Sequence, residues 1–251
     1  INNDLADSCY ADELDFIAKS IEQTNEYSTV IEEASLKGTN LNAYPDENRL
    51  AQKLKIVSRL ISGGLKTKIF VVSLGGFDTH ANQVEEEAPL LGEHTNLLDE
   101  LSTAIQVFQE DLRLQNLEER VLGMTYSEFG RRIRSNLSNG TDHGTAAPLF
   151  LFGNSVKGGV IGDNPQIDRS MTYEDNLEMQ HDFRQIYSSV FDQWLCVDPT
   201  DLGQIFMHDY QSLGVTSSGV ACITPTHEVN QAAGTSYIQI TPNPILETGM
   251  V

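Results

Sequence analysis

The chain has 251 residues, 39% of them hydrophobic, so it is long enough to bury the core of one large α/β domain or two small ones. Its 16 basic and 36 acidic residues give a formal net charge of -20, which repels phosphate backbones and anionic membrane surfaces and argues against a nucleic-acid partner. No stretch is apolar for long enough to span a bilayer.

Two amphipathic helices are predicted at the start of the chain. Apolar residues recur at helical spacing from Asp12 to about Gly38, and the pattern ends at this glycine. A second helix starts near Pro45-Asp46, and Gly63-Gly64 provides a left-handed stop. Its apolar stripe consists of Leu50, Leu54, Val57, Leu60 and Ile61.

Apolar runs and helical stripes then alternate. The run TKIFVVSL at 67–74 predicts a strand covered on both faces, and RVLGMTY at 120–126 and APLFLFG at 147–153 predict two more. Helical stripes at 97–112 and 183–194 complete the pattern. Such alternation is typical of an α/β fold in which helices cover a parallel sheet.

Regularity fades after about residue 199, so we predict a domain over 1–200 and an irregular or β-rich tail over 201–251. The three cysteines are an odd number without CxxC spacing, which argues against a cysteine zinc site and permits one disulfide at most. Cys196 with Cys222 is the pair we favour, and two free buried thiols are the alternative.

Three polar segments adjoin the predicted strands. They are GGFDTH at 75–80, YSEFGRR at 126–132 and NGTDHGTAAP at 139–148. The carboxyl ends of parallel strands meet at one sheet edge, where α/β folds bind ligands. If the three runs form parallel strands, these segments converge on one site.

The residue types in these segments suit a metal ion, since carboxylate oxygen with imidazole nitrogen is a donor set for zinc, manganese or iron. Asp78 and His80 are two apart and share a face of an extended chain. Asp142 and His143 are adjacent, so they converge only if the flanking glycines let the backbone turn. Glu128 adds a further carboxylate.

Structural interpretations of the same residues stay open at this point. Asp78 is also typical of an aspartate that caps a turn, and a single histidine is usually a satisfied polar residue. SEFGRR also suits a helix start with Ser127 as N-cap and Arg131 and Arg132 on a solvated face. The remaining histidines are predicted to be surface or structural residues: His94, His181, His208 and His227.

Taken in order, VVSLGGFDTHANQ, RVLGMTYSEFGRRIRSNLSNGTDHGTAAPLFLFG and VKGGVIG resemble the DUF1501 family of bacterial secreted proteins, which is grouped with the alkaline phosphatase and sulfatase superfamily. The resemblance covers about residues 12 to 200. It implies a three-layer α/β/α sandwich with a mainly parallel sheet, alkaline phosphatase-like. It also implies that the chain is a C-terminal half, incomplete at its N-terminus.

The resemblance also implies roles for single residues. Asp78 and His80 resemble the superfamily's metal-binding pair, and His143 resembles a later histidine ligand. Glu128 stands where an Asp-His motif provides ligands, although Phe129 occupies the expected histidine position. The superfamily's first metal aspartate and its nucleophile lie on an upstream strand, so the resemblance assigns no nucleophile to these residues.

The implied function is a periplasmic or extracellular metal-dependent hydrolase of phosphate or sulfate esters that uses zinc, manganese or calcium. Arg131 would bind the anionic group of a small ester or of a phosphorylated or sulfated glycan. The alternative is a secreted, non-catalytic binding or assembly protein that associates with the N-terminal portion or with a larger assembly.

Overall fold

The computed structural model describes residues 9–217. Within this part of the chain the elements are the helices α1 (Cys9–Lys37), α2 (Arg49–Ser62) and α3 (Glu93–Leu114), a 3-10 helix (Glu118–Arg120), the strands β1 (Gly123–Met124), β2 (Gly130–Arg131), β3 (His143–Gly144) and β4 (Leu151–Phe152), and the helices α4 (Phe183–Gln193) and α5 (Pro199–Phe206). None of the described helices is long and apolar enough to cross a membrane.

The main core lies between α2 and α3, whose apolar faces pack against each other. The prediction of α2 is confirmed, but its start is three residues later than Pro45-Asp46 indicated. Asn48 is the N-cap, and its side chain accepts a hydrogen bond from the Ala51 amide. The predicted left-handed stop falls on Gly64, which has a φ of 85°.

Among the α1 residues whose side chains are described, the buried one lies near the C-terminal end of the helix, where Ala34 packs against Leu60 and Leu65 in a separate small cluster. The backbones approach closely there, because a Cβ on Gly63 would lie 1.8 Å from the Ala34 carbonyl oxygen. Earlier in the helix the apolar stripe stays open, and Ile17 is 51% exposed. The predicted helix over 12–38 is confirmed, and most of its apolar face lacks cover among the described residues.

A buried carboxylate joins the loop between α1 and α2 to both core helices. Asp111 of α3 has no exposed surface, and both of its oxygens accept hydrogen bonds. The donors are Asn40 Nδ2, Leu41 N, Asn42 N, Tyr44 Oη and Ser58 Oγ. These bonds fix the chain at 40–44 across the end of the α2–α3 pair.

A third core cluster contains Val190 and Trp194 at the end of α4 together with Val215. Leu122, Met124 and Leu151 of the β1–β4 region pack against it. This cluster attaches the C-terminal helices to the strands.

The strands do not form a parallel sheet, and the predicted three-layer α/β/α sandwich is wrong. β1 pairs antiparallel with β4, and β2 pairs antiparallel with β3, as two separate two-stranded sheets. Parallel neighbours need a long crossover, which is usually a helix. The chain has no helix between 124 and 151, so it doubles back and pairs antiparallel.

Residues 67–74, predicted as a strand covered on both faces, are covered on one face and pair with no strand in the described part of the chain. Phe70, Val72 and Leu74 pack against the core, whereas Ile69 and Val71 are 60% and 67% exposed. This alternation is typical of extended backbone. The expectation of two buried faces failed because helices cover only the inner face.

The predicted tail over 201–251 begins inside α5, and its residues 218–251 lie outside the described residues. An antiparallel bridge between Val156 and Thr216 holds the last described residues against the body of the protein. Cys196 is disulfide-bonded. Its predicted partner, Cys222, lies outside the described residues.

Candidate metal centre

The segments that carry Asp78 and His143 lie side by side, although 65 residues separate these two residues in the sequence. β2 and β3 present His143 directly opposite Arg131. Next to this ladder the two segments meet as loops. There the Thr141 amide donates to the Thr79 carbonyl oxygen at 3.3 Å. Loop contacts and a short antiparallel ladder therefore assemble the site, which we had predicted at the edge of a parallel sheet.

Two glycines make this approach sterically feasible. A Cβ on Gly140 would lie 2.2 Å from the His80 carbonyl oxygen, and one on Gly144 would lie 2.5 Å from the Arg131 carbonyl. Neither glycine has a positive φ. Both were predicted to help the chain turn, and their role is to let two backbones come close together.

Three side chains converge at the surface of this contact. Asp78 Oδ1 lies 3.1 Å from His80 Nε2 and 2.7 Å from His143 Nε2. Together they offer one oxygen and two nitrogen atoms that all lie within 4.8 Å of one another. About half of each side chain is exposed, so an ion and a substrate can reach the group from solvent.

Asp142 lies behind His80 and is not part of the converging group. Its Oδ1 is 3.0 Å from His80 Nδ1, on the opposite side of the ring from Asp78. Asn136 holds this arrangement by donating from Nδ2 to Asp142 Oδ1 and to the His80 carbonyl oxygen. Metal-binding histidines usually donate their second nitrogen to such a carboxylate, which fixes the tautomer and the ring orientation.

The donor set fits a divalent ion of the zinc, manganese or iron type. Both ring nitrogens of His80 face a carboxylate oxygen, but a neutral imidazole has only one N–H to donate. A metal ion bound at Nε2 would occupy the nitrogen that faces Asp78 and would leave the N–H on Nδ1 for Asp142. Two imidazole nitrogens fit calcium poorly, since calcium prefers oxygen ligands throughout.

The electrostatic surroundings keep both aspartates ionised. The hydrogen bond with His143 is the main reason why the pKa of Asp78 lies below its usual value, and the charges of His80 and Arg131 act in the same direction. Hydrogen bonds from Asn136 and then from His80 lower the pKa of Asp142. Both carboxylates are thus available as acceptors at neutral pH.

Phe129 covers one side of the group. Its ring stacks on His143 with centroids 3.9 Å apart and an interplanar angle of 10°. Glu128 is exposed and is not among the three converging side chains. The alternative helix start at Ser127 is wrong, because β2 follows and the Ser127 hydroxyl donates to the Phe129 carbonyl oxygen.

Arg131 reaches the group from below, with only 18% of its side chain exposed. Nη1 donates to Asp78 Oδ1 and to the Thr141 carbonyl oxygen. Nη2 donates to the Phe77 carbonyl oxygen and to Thr79 Oγ1. The binding of an anionic substrate group by Arg131 stays a prediction.

The residues that support the three converging side chains were not predicted from the sequence. Asn136 lies in the polar run NLSNG at 136–140, and Thr79 lies between Asp78 and His80. Thr79 is buried and donates to Gln83 Oε1, which also accepts from Thr141 Oγ1. A small hydroxyl residue between two candidate ligands is a weak signal, because its partners are distant in sequence.

The other described histidines lie outside the converging group, as predicted. His94 packs edge-on against Phe77, with ring centroids 6.1 Å apart, and burial lowers its pKa. His208 packs against Tyr210. His227 lies outside the described residues.

Comparison with known proteins gives one family. The family model described as "Protein of unknown function (DUF1501)" matches residues 23–192, which include every candidate ligand. No curated protein and no solved structure matches the chain.

Proposed function

Since the chain belongs to the DUF1501 family, whose description assigns it no function, we propose an activity from the geometry of the site. The protein is a metal-dependent hydrolase of phosphate or sulfate esters. The convergence of Asp78, His80 and His143 on one exposed point carries this proposal. When bound, a divalent ion supplies Lewis-acid polarisation of the ester oxygen.

The chain's own residues hold and orient the ion. Asp78 and the Nε2 atoms of His80 and His143 are the ligands, and Asp142 sets the tautomer of His80. Phe129 restricts the ring of His143 by stacking on it. Three protein ligands on an open surface leave coordination positions for substrate, which is the pattern of catalytic rather than structural sites.

A relation to the alkaline phosphatase and sulfatase superfamily is part of the proposal. It rests on the order of the motifs and on the aspartate-histidine-histidine set alone, since the described fold is not the sandwich of that superfamily. The substrates we propose are small anionic esters or phosphorylated or sulfated glycans.

Export to the periplasm or the exterior of a bacterium is a further part of the proposal. The disulfide of Cys196 supports it, because disulfides persist in oxidising compartments and are rare in the cytosol.

The first test is metal binding. Purified protein is incubated with zinc or manganese, desalted and analysed for metal, beside the variants His143→Ala and His208→Ala. We expect near-stoichiometric metal in the parent and in His208→Ala, which alters an exposed histidine outside the site, and a loss of metal in His143→Ala. Equal metal content in all three proteins would show that His143 does not bind the metal and would contradict the proposed site.

The second test is turnover. The metal-loaded parent is assayed with p-nitrophenyl phosphate and p-nitrophenyl sulfate, and we expect hydrolysis of one of them that disappears in His143→Ala and persists in His208→Ala. A metal-loaded protein that hydrolyses neither ester would contradict the hydrolase proposal while leaving metal binding intact.

A non-catalytic role in binding or assembly is the second candidate function, and one observation favours it. Residues 69–75 combine exposed apolar side chains with backbone groups that no described strand pairs, and such an edge accepts a strand from another chain. Sedimentation of the metal-free protein measures association, and the ester assay measures turnover. The binding or assembly role predicts association without turnover.

A further inference from the structure

The guanidinium of Arg131 lies between the two segments that supply the candidate ligands. Asp78 and His80 come from one segment, and His143 comes from the other. Nη1 contacts both segments, at 3.3 Å from Asp78 Oδ1 and 3.0 Å from the Thr141 carbonyl oxygen. This side chain therefore bridges the site from its buried side.

The second nitrogen fixes the first segment on either side of Asp78. Nη2 lies 2.7 Å from the Phe77 carbonyl oxygen and 2.9 Å from Thr79 Oγ1. Bonds to residues 77 and 79 set the direction in which the residue between them points. The planar fork of an arginine can hold several acceptors in one geometry, which a lysine ammonium cannot.

These contacts occupy the donors that an anionic substrate would need. Each Nη carries two N–H groups, and the four contacts above account for all four. Only the single N–H of Nε is not among these contacts, and one donor cannot bind an anion in a two-pronged manner. A phosphate or sulfate bound in the usual two-pronged manner would have to displace protein acceptors from a side chain that is 18% exposed.

We propose that Arg131 is a positioning residue that holds the segments at 77–79 and 141–143 together, so that Asp78, His80 and His143 converge, and that it does not bind substrate. The part of this inference that concerns metal rests on the proposed function. The part that concerns the two segments stands on the hydrogen bonds alone.

Cobalt binding tests the first part, with Co²⁺ as the probe because its visible spectrum reports coordination geometry. In Arg131→Gln we expect the Co²⁺ affinity to fall about 10- to 100-fold, as for other residues that support metal ligands, and the spectrum to change. The matched control is Arg134→Gln, which removes the same charge from an exposed arginine bonded to the Met171 and Arg169 carbonyl oxygens. It should match the parent.

Amide hydrogen exchange of the metal-free protein tests the second part. The amides of Thr79, His80 and Thr141 donate within or between the two segments, so they should exchange faster in Arg131→Gln than in the parent and remain unchanged in Arg134→Gln. If Arg131→Gln does not fold, Arg131→Lys is measured instead, and the same direction is expected because one ammonium group cannot replace the fork.

The outcomes separate this inference from the proposed function. A parent that binds no Co²⁺ contradicts the metal site, and the exchange experiment then decides the role of Arg131 by itself. If the amides of Thr79, His80 and Thr141 exchange equally fast in Arg131→Gln and in the parent, the positioning role of Arg131 is overturned. A parent that binds Co²⁺ and a variant with the same affinity and spectrum overturn it as well, while leaving the metal site in place.

Discussion

Asp111 is completely buried, and its surroundings decide its charge. Burial acts to raise the pKa of this carboxyl, but hydrogen bonds from Ser58, Asn40, the Leu41 amide and Tyr44 outweigh burial and hold the pKa below its usual value. Burial is the main cause that raises the pKa of the Tyr44 hydroxyl, and the hydrogen bond with the Asp111 carboxylate raises it further. Asp111 thus stays ionised in a place where an unpaired charge would be costly.

Replacing Asp111 by alanine should destabilise the protein by about 3 kcal/mol or more, because several buried donors lose their acceptor and each unsatisfied group costs about 1–3 kcal/mol. Denaturant unfolding at neutral pH measures the change. Asp99→Ala on the exposed face of the same helix is the control and should stay within about 0.5 kcal/mol of the parent. A small effect at Asp111 would mean that water reaches the donors.

At the scale of the element, α4 begins at a capping aspartate. Asp182 accepts a hydrogen bond from the Arg184 amide at 2.8 Å, and its carboxylate also receives the guanidinium of the same residue. The side-chain hydrogen bond with Arg184 is the main cause that lowers the pKa of Asp182 to about 2. The capping group therefore stays charged well into acid.

We expect Asp182→Ala to lower the free energy of unfolding by about 0.5–2 kcal/mol at neutral pH. Because the folded pKa of about 2 lies below the unfolded pKa of about 3.9, the charged group's contribution is complete above the unfolded value. This contribution to stability is lost as the pH falls through the folded pKa of about 2. The stability difference between the parent and Asp182→Asn should therefore shrink below about pH 4.

Chemical denaturation at a series of pH values measures this difference, with the exposed Glu178→Gln as the control. A gap between the parent and Asp182→Asn that keeps its size throughout acid would show that the charge of Asp182 does not stabilise the cap.

At the scale of the whole molecule, the helices form the main core, and the extended segments contain the residues of the site. α2 and α3 bury one side of residues 67–74, and the other side faces solvent. The site therefore lies where an extended segment that pairs with no described strand runs into loops, beyond Gly75 and Gly76. Such regions open more easily than a packed helix pair.

Hydrogen exchange across the 251-residue chain should reflect this difference. The amides of 69–75 donate to no described backbone group, so we expect them to exchange much faster than amides in the buried middle of α2 and α3, such as those of Leu54 and Phe108. Mass spectrometry of peptides after a short labelling pulse measures the rates. Protection of 69–75 equal to that of the helices would mean that another segment pairs with them.

Local signals in the sequence predicted α1 to α4, because a helix closes its own hydrogen bonds within one segment. They did not predict α5, which overlaps the start of the predicted irregular tail. The stripe of α2 and its glycine stop were recognisable, and so were the stripes of α3 and α4. A strand depends on a neighbour that local signals cannot identify. The runs at 120–126 and 147–153 do pair with each other, but antiparallel and over two residues only.

The sequence by itself determined which residues offer metal-binding groups, because carboxylate and imidazole are properties of the side chain, and it determined where α1 to α4 lie. Only the tertiary structure decided that Asp78, His80 and His143 converge, that Asp142 supports His80 and that Glu128 stands apart. The physical reason is that a site needs groups distant along the chain to meet within a few ångströms. Here two close glycine contacts and the largely buried fork of Arg131 bring them together.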